Sequence, residues 1–319
     1  MSKVKSVKKY EMDMCSGSIL KKMLLFSLPL MCSSILQLLF NAADIIVVGN
    51  FAGDNSLAAV GANTALINLM VNFFMGFSVG ANVLVAGYYG AKREEELSKT
   101  IHTAIMLSIY SGIILTAVGV LFARQLIIMM QTPEEVVELA SVYLRIYFCG
   151  MTATMLYNFG SAILRAIGDT KRPLYYLMFS GIINVVLNLI FVIPLKMDVA
   201  GVALATVISQ CISAFLVIRC MIKEKGSIHL DVKKLGIDRD KFLRILQIGL
   251  PASFQRSRRN GNQSGQSRRN TPTRCGTASS PHATISLNRK RRAHREHAAP
   301  SAPTWSRKTR LSTSSRQST

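Results

Sequence analysis

Six mostly apolar runs, each of roughly 20 residues or more, recur between Met23 and Met221, and they restrict the fold more than any single motif does. A helix of about 20 residues crosses about 30 Å of hydrocarbon. In lipid only helices and closed barrels satisfy their own backbone. The runs cover Met23–Val48, Leu57–Gly80, Ile101–Ala123, Val136–Ile163, Leu174–Leu195 and Val199–Met221. A soluble chain of 319 residues would alternate shorter, amphipathic runs, whereas here 50% of residues are hydrophobic and 17% charged. The expectation is an all-α, multi-pass membrane protein.

Charge in the connecting segments orients the bundle. Lys3, Lys5, Lys8, Lys9, Lys21 and Lys22 precede the first run. Lys92, Arg93 and Lys99 follow the second, Arg165, Lys171 and Arg172 follow the fourth, and a longer basic stretch from Lys223 to Arg244 follows the sixth. The odd-numbered connections hold only Arg124 and Lys196. The positive-inside rule then places the amino terminus and even loops in the cytoplasm of a cell (plasma, or inner) membrane. The basic start has no small-residue cleavage site after it, so an uncleaved first span is expected. Six cysteines without a CxxC spacing predict neither a disulfide framework nor a metal site.

Polar residues recur at helical spacing inside the runs. Gln37, Asn41 and Asp44 share a face of the first span; Thr154 and Asn158 share one on the fourth. Ser180, Asn184 and Asn188 do so on the fifth, and Thr206 and Gln210 on the sixth. Turning these faces toward one another gives a bundle with a polar, partly hydrated interior. An isolated amide here also serves as an interhelical contact worth about 0.6–2 kcal/mol. Asp44 differs, because a central carboxylate costs roughly 2.5–3.5 kcal/mol on insertion scales and marks a functional site. Arg145 reads as an interfacial structural charge and His102 as a plain interfacial group at a helix start. Pro29 removes a backbone hydrogen bond early in the first span and is a candidate conformational hinge.

The stretches "SLPLMCSSILQLLFNAADIIVVGNFAG", "AVGANTAL", "GYYGAKREEE", "YLRIYFCG", "SAILRAIGDTKRPLYY", "VAGVALATVISQ" and "LQIGLPASFQ" resemble the bacterial multidrug and toxic compound extrusion (MATE) transporters across residues 18–255. "LRAIGDTKRPLY" after a span is the most specific of them. The resemblance implies two six-helix lobes related by a parallel pseudo-twofold. It also implies export of cationic amphipathic compounds by alternating access, in antiport with Na⁺ or H⁺. The family's first-span acid falls on Asp44, and its amide-then-acid pattern falls on Asn184 and Asn188, where the second position is here an amide. Thr206 and Asn158 fall where relatives place polar groups, and Phe40 where a tyrosine is frequent. Asp44, Asn41, Gln37, Asn184, Asn188, Thr206 and Asn158 are thus the candidate ion- and substrate-binding residues. Proton or Na⁺ uptake by the acid would cancel the charge that holds a cationic substrate.

The expected organisation is a cytoplasmic basic arm (1–17), a six-helix transmembrane lobe (18–222), a cytoplasmic loop (223–240), a truncated seventh helix (241–255) and a disordered Arg/Ser-rich tail (256–319). Residues 1–255 hold 15 Lys and 8 Arg against 16 acids, while 256–319 hold 2 Lys and 13 Arg against Glu296. The mid-helix onset and the change from Lys to Arg lead us to expect a shifted reading frame and a truncated transporter. "FLRILQIGLPASF" is too short to cross alone and is expected at the cytoplasmic interface. The tail lacks a nucleic-acid motif with aromatic interleaving, so no selected nucleic-acid partner is expected. No obligate protein partner is evident either, and small cationic drugs or toxins and membrane lipids are the expected partners. No cofactor is implied, and no nucleotide loop, nucleophile with base, or metal cluster marks an enzyme. Two alternative readings are a non-transporting half-size relic and a lipid-linked sugar flippase of the wider superfamily. A flippase calls for basic groups in its cavity, where Arg145 is the one candidate.

Overall fold

Long uninterrupted apolar stretches without internal glycine–proline pairs fold here as long helices. The computed structural model describes residues 19–224, 228–232 and 235–270. The basic arm and the segment beyond residue 270 lie outside the described residues. The described residues up to Arg268 form one compact unit. Its helices are α1 (Ile19–Phe51), α2 (Asp54–Gly90), α3 (Glu94–Met129), α4 (Glu134–Cys149), α5 (Met151–Ala166), α6 (Lys171–Val192), α7 (Asp198–Lys223) and α8 (Arg239–Asn270). Five are long and apolar enough to cross a membrane singly, and α4 with α5 make a sixth span if taken together.

The expected fourth span is therefore a broken one. α4 and α5 meet at Gly150 with a bend of 48°. The break follows from close packing on both sides. A Cβ on Gly150 would press on Val207 of α7 at 2.8 Å, and Thr152 of α5 sits against Gly112 of α3. Thr116 of α3 donates its hydroxyl to the Phe148 carbonyl at 2.8 Å, tying α3 to the end of α4 beside the break. The core falls into two apolar clusters. One apolar cluster joins Val47 and Val48 to the start of α2, the end of α3, α4 and the start of α7. The other joins the end of α2, the start of α3, α5 and the end of α7.

The segment before α8 is tied down rather than loose. Ile228 and Leu230 are buried, and the Leu230 amide donates to the Met221 carbonyl at 3.2 Å. His102 Nδ1 lies 2.7 Å from the Ser98 carbonyl, and its Nε2 accepts the Asp231 amide at 3.2 Å. His102 is thus a buried anchor for this connection.

α8 departs from expectation twice. It packs lengthwise and antiparallel on α2 instead of lying flat at an interface. Lys241 pairs with Glu96 and Tyr88 at one end, and Phe254 meets Phe73 edge-on at 6.2 Å at the other. Between them Gly76 and Gly80 face Ser253 and Gly249 so closely that a Cβ on Gly80 would overlap the Ile245 carbonyl. Small residues four apart on both helices allow that approach. The helical backbone also continues through residues 256–270, which were expected to be disordered. Five Arg and two Gln favour helix there against two Gly, three Asn and three Ser, and no proline intervenes between Pro251 and Pro272.

Candidate functional site

Three helices converge on Asp44. α1 approaches α6 closely because Phe40 lies on Gly181, where any Cβ would overlap the ring. One turn beyond Phe40, Asp44 meets Asn188 of α6. The α6–α7 turn is tight, with Lys196 and Asp198 held at φ of 49° and 45°. Left-handed backbone costs a non-glycine residue about 1–2 kcal/mol. This turn sets Thr206 beside Asn184.

The polar groups form a directed chain. Asn188 Nδ2 donates to Asp44 Oδ1 and, at 3.4 Å, to Asn184 Oδ1. Asn184 Nδ2 donates to Thr206 Oγ1 at 3.3 Å, and that hydroxyl donates to the Val202 carbonyl at 2.9 Å. Asn188 is fully buried, and its own Oδ1 has no hydrogen-bond partner. Asp44 Oδ1, Asn184 Oδ1 and Thr206 Oγ1 are thus hard oxygens linked in one amide-bridged chain, with the unpartnered Asn188 Oδ1 on the same side chain that bridges them. Such oxygens suit a hard cation or a proton. No cluster of three His, Cys, Asp or Glu able to hold a metal occurs among the described residues.

Not all the sequence candidates gather here. Gln37 lies on the same side of α1 but two turns away, about 10 Å along the axis. With Asn158 of α5 it lines a separate cavity of about 460 Å³ between α1, α2 and α5. Asn41 is exposed. Pro29 sits inside a continuous α1, and its carbonyl accepts the Ser33 hydroxyl at 2.8 Å. Thr154 marks the α4–α5 break, donating to the Gly150 carbonyl at 3.2 Å.

Three groups near these sites were not picked out from sequence. Tyr143 and Tyr147 of α4 stack with centroids 6.0 Å apart, and both lie within Coulombic reach of Asp44. Their i,i+4 spacing in "YLRIY" was the available signal. Arg165 lines the cavity, whereas Arg145, the basic residue singled out earlier, is exposed.

"RAIGDTKRP" is a structural device. α5 ends at Ala166, Gly168 takes φ of 91°, and the Gly168 and Asp169 amides donate to the Arg165 and Leu164 carbonyls at 3.0 Å. That pair of bonds is a Schellman closure. Asp169 Oδ1 then accepts the Arg172 amide at 3.1 Å at the start of α6. The Arg172 guanidinium bridges Asp169 at 2.5 Å and Glu224, the residue that follows α7, at 2.6 Å.

A helical bundle that carries an acid–amide chain between membrane-length helices defines a polytopic membrane protein with a polar interior. The MatE family profile matches residues 29–190, and the chain belongs to that family of transporters. It is 32% identical over 245 residues to a protein named Probable multidrug resistance protein YoeA of Bacillus subtilis strain 168, covering 74% of this chain and 53% of that one. It is 26% identical over 236 residues to Multidrug export protein MepA of Staphylococcus haemolyticus, covering 74% and 52%. Among solved structures, a MATE in the bent conformation superposes with a TM-score of 0.69 at 28% identity, covering 74% of this chain and 53% of that one. A MATE in the straight conformation superposes with 0.67 at 29%, covering 73% and 52%. The chain spans about half the length of the curated relatives it matches.

Proposed function

We propose that this chain forms the amino-terminal half of a multidrug exporter that releases cationic amphipathic compounds in exchange for Na⁺ or H⁺ at Asp44. The observation that carries this reading is the bond from Asn188 to Asp44. It turns the carboxylate toward α6 and α7 and away from the acyl chains. A cationic compound needs the negative charge. A proton converts the carboxylate to a neutral acid, and Na⁺ shared among Asp44, Asn184, Asn188 and Thr206 neutralises it. Either event releases the compound, so exchange follows from two cations competing for one acid. Relatives named for multidrug resistance and multidrug export support the substrate class. Solved structures of a MATE in bent and straight conformations support a transporter that changes shape, and Pro29 inside α1 is the hinge proposed for it here. The bundle sits in the plasma membrane with its amino terminus in the cytoplasm.

The test is ethidium efflux from a pump-deficient bacterial host expressing the chain. Wild type lowers cell-associated ethidium, and Asp44→Asn abolishes that effect while reaching the membrane in equal amount. Undiminished efflux by Asp44→Asn removes the exchange mechanism. Absence of efflux by the wild-type chain favours the non-transporting reading.

A further inference from the structure

The cavity between α1, α2 and α5 differs in chemistry from the Asp44 site. Its lining includes no carboxylate, and among its described lining residues Arg165 is the one charge. The serine hydroxyls of its wall already donate to their own helices, and Tyr157 donates to the Pro173 carbonyl of α6 at 3.3 Å. Ser34 donates to the Leu30 carbonyl at 3.1 Å, Ser78 to Met75 at 2.7 Å and Ser161 to Asn158 at 3.0 Å. Asn82 uses Nδ2 on the Ala162 carbonyl at 2.6 Å. What the serine hydroxyls and Asn82 Oδ1 retain for an occupant is acceptor lone pairs, while the Gln37 and Asn158 amides of the same wall can both donate and accept. Arg165 supplies the opposite chemistry: a guanidinium has five N–H donors and keeps capacity for an oxyanion while engaged elsewhere. Phe26, Leu30, Met75 and Val79 make the remainder apolar. A volume of about 460 Å³ falls among small-molecule sites.

We propose that this cavity binds a phosphate-bearing amphiphile, with the phosphate at Arg165, hydroxyl or amine donors of the headgroup on the serine and Asn82 oxygens, and the start of an acyl chain among Phe26, Leu30, Met75 and Val79. The sign is opposite to that of the Asp44 site, and the two are separated along α1. An organic cation finds no carboxylate in the cavity, and an apolar solute leaves its acceptors unmatched. A membrane phospholipid and a dissolved lysophospholipid share this chemistry.

The test uses the purified full chain in a non-ionic detergent, with lauroyl-lysophosphatidylglycerol as the probe and native mass spectrometry as the readout. Lauroyl-lysophosphatidylglycerol binds at least tenfold tighter than dodecyltrimethylammonium, and tighter than dodecyl phosphate, which lacks the hydroxyl donors. Arg165→Gln weakens it about tenfold. Ser34→Leu, at an exposed position on the rim, fills the cavity and weakens it as much, so the location is tested even if Arg165→Gln does not fold. In nanodiscs, displacement of the probe by phosphatidylglycerol but not by phosphatidylcholine assigns a membrane lipid as occupant; retention of the probe in both assigns a dissolved amphiphile. Equal or tighter binding of dodecyltrimethylammonium, or unchanged binding in Ser34→Leu, overturns the assignment.

Discussion

Asn188 donates its amide hydrogen to Asp44 across the α1–α6 interface, and its own carbonyl oxygen stays buried without a hydrogen-bond partner. A buried acceptor left open beside a carboxylate costs about 1–3 kcal/mol unless an ion or water satisfies it.

Asn188→Asp sets two carboxylates against each other across that interface. Like charges favour capture of a cation or a proton. The variant gains thermal stability from added NaCl over equal KCl in a detergent melt, by several degrees more than wild type does. An Na⁺ response no larger than that of wild type counts against the oxygen set as a cation site.

Phe40 on Gly181 sets how near α1 comes to α6. Gly181→Ala forces the ring away and costs about 1–3 kcal/mol, the usual range for overpacking. Phe40→Ala, Gly181→Ala and the double variant form a cycle read by detergent-phase unfolding. The double variant is more stable than the two single losses summed would give; strict additivity shows that the contact does not hold the helices.

Arg172 compensates Asp169, whose side chain is fully buried. Arg172→Ala leaves that charge unpaired and destabilises the α5–α6 turn by about 3–5 kcal/mol. Thermal unfolding in detergent checks it, and a change under about 1 kcal/mol marks the pair as peripheral.

The small-residue seam between α2 and α8 tolerates no side chain at Gly80. Gly80→Leu displaces α8 and loosens its helix, so that trypsin cleaves after the exposed Arg244 at least tenfold faster than in wild type on a timed gel. Equal cleavage rates mean that α8 does not depend on this contact.

Hydrophobic run length located α1, α2, α3, α6 and α7 to within a few residues at most ends, because length and apolar content are what lipid selects. α2 and α3 were the outliers: α2 continues to Gly90, ten residues past the expected boundary, where "ANVLVAGYYG" packs on α3 and α5, and α3 starts seven residues before its expected run and ends six after it. The break at Gly150 was hidden because it follows from Gly112, Thr116 and Val207 on other helices, not from its own neighbours in sequence. Helical spacing placed Asp44, Asn184, Asn188 and Thr206 on faces that meet. The same spacing put Gln37 with Asp44, since a helical face fixes direction around the axis and says nothing about depth along it. Arg165 was read only as loop charge, and its place on the cavity wall depends on where α5 ends. The docking of α8 depended on matching Gly76 and Gly80 to Gly249 and Ser253, residues far apart in the chain.

Competition between two cations for Asp44 is tested most directly by ethidium fluorescence polarisation on the purified chain, titrated with NaCl and with acid. Ethidium binds, one of the two titrants displaces it competitively, and Asp44→Asn removes both the binding and the displacement. Ethidium binding that survives Asp44→Asn, or that neither Na⁺ nor protons displace, contradicts the account.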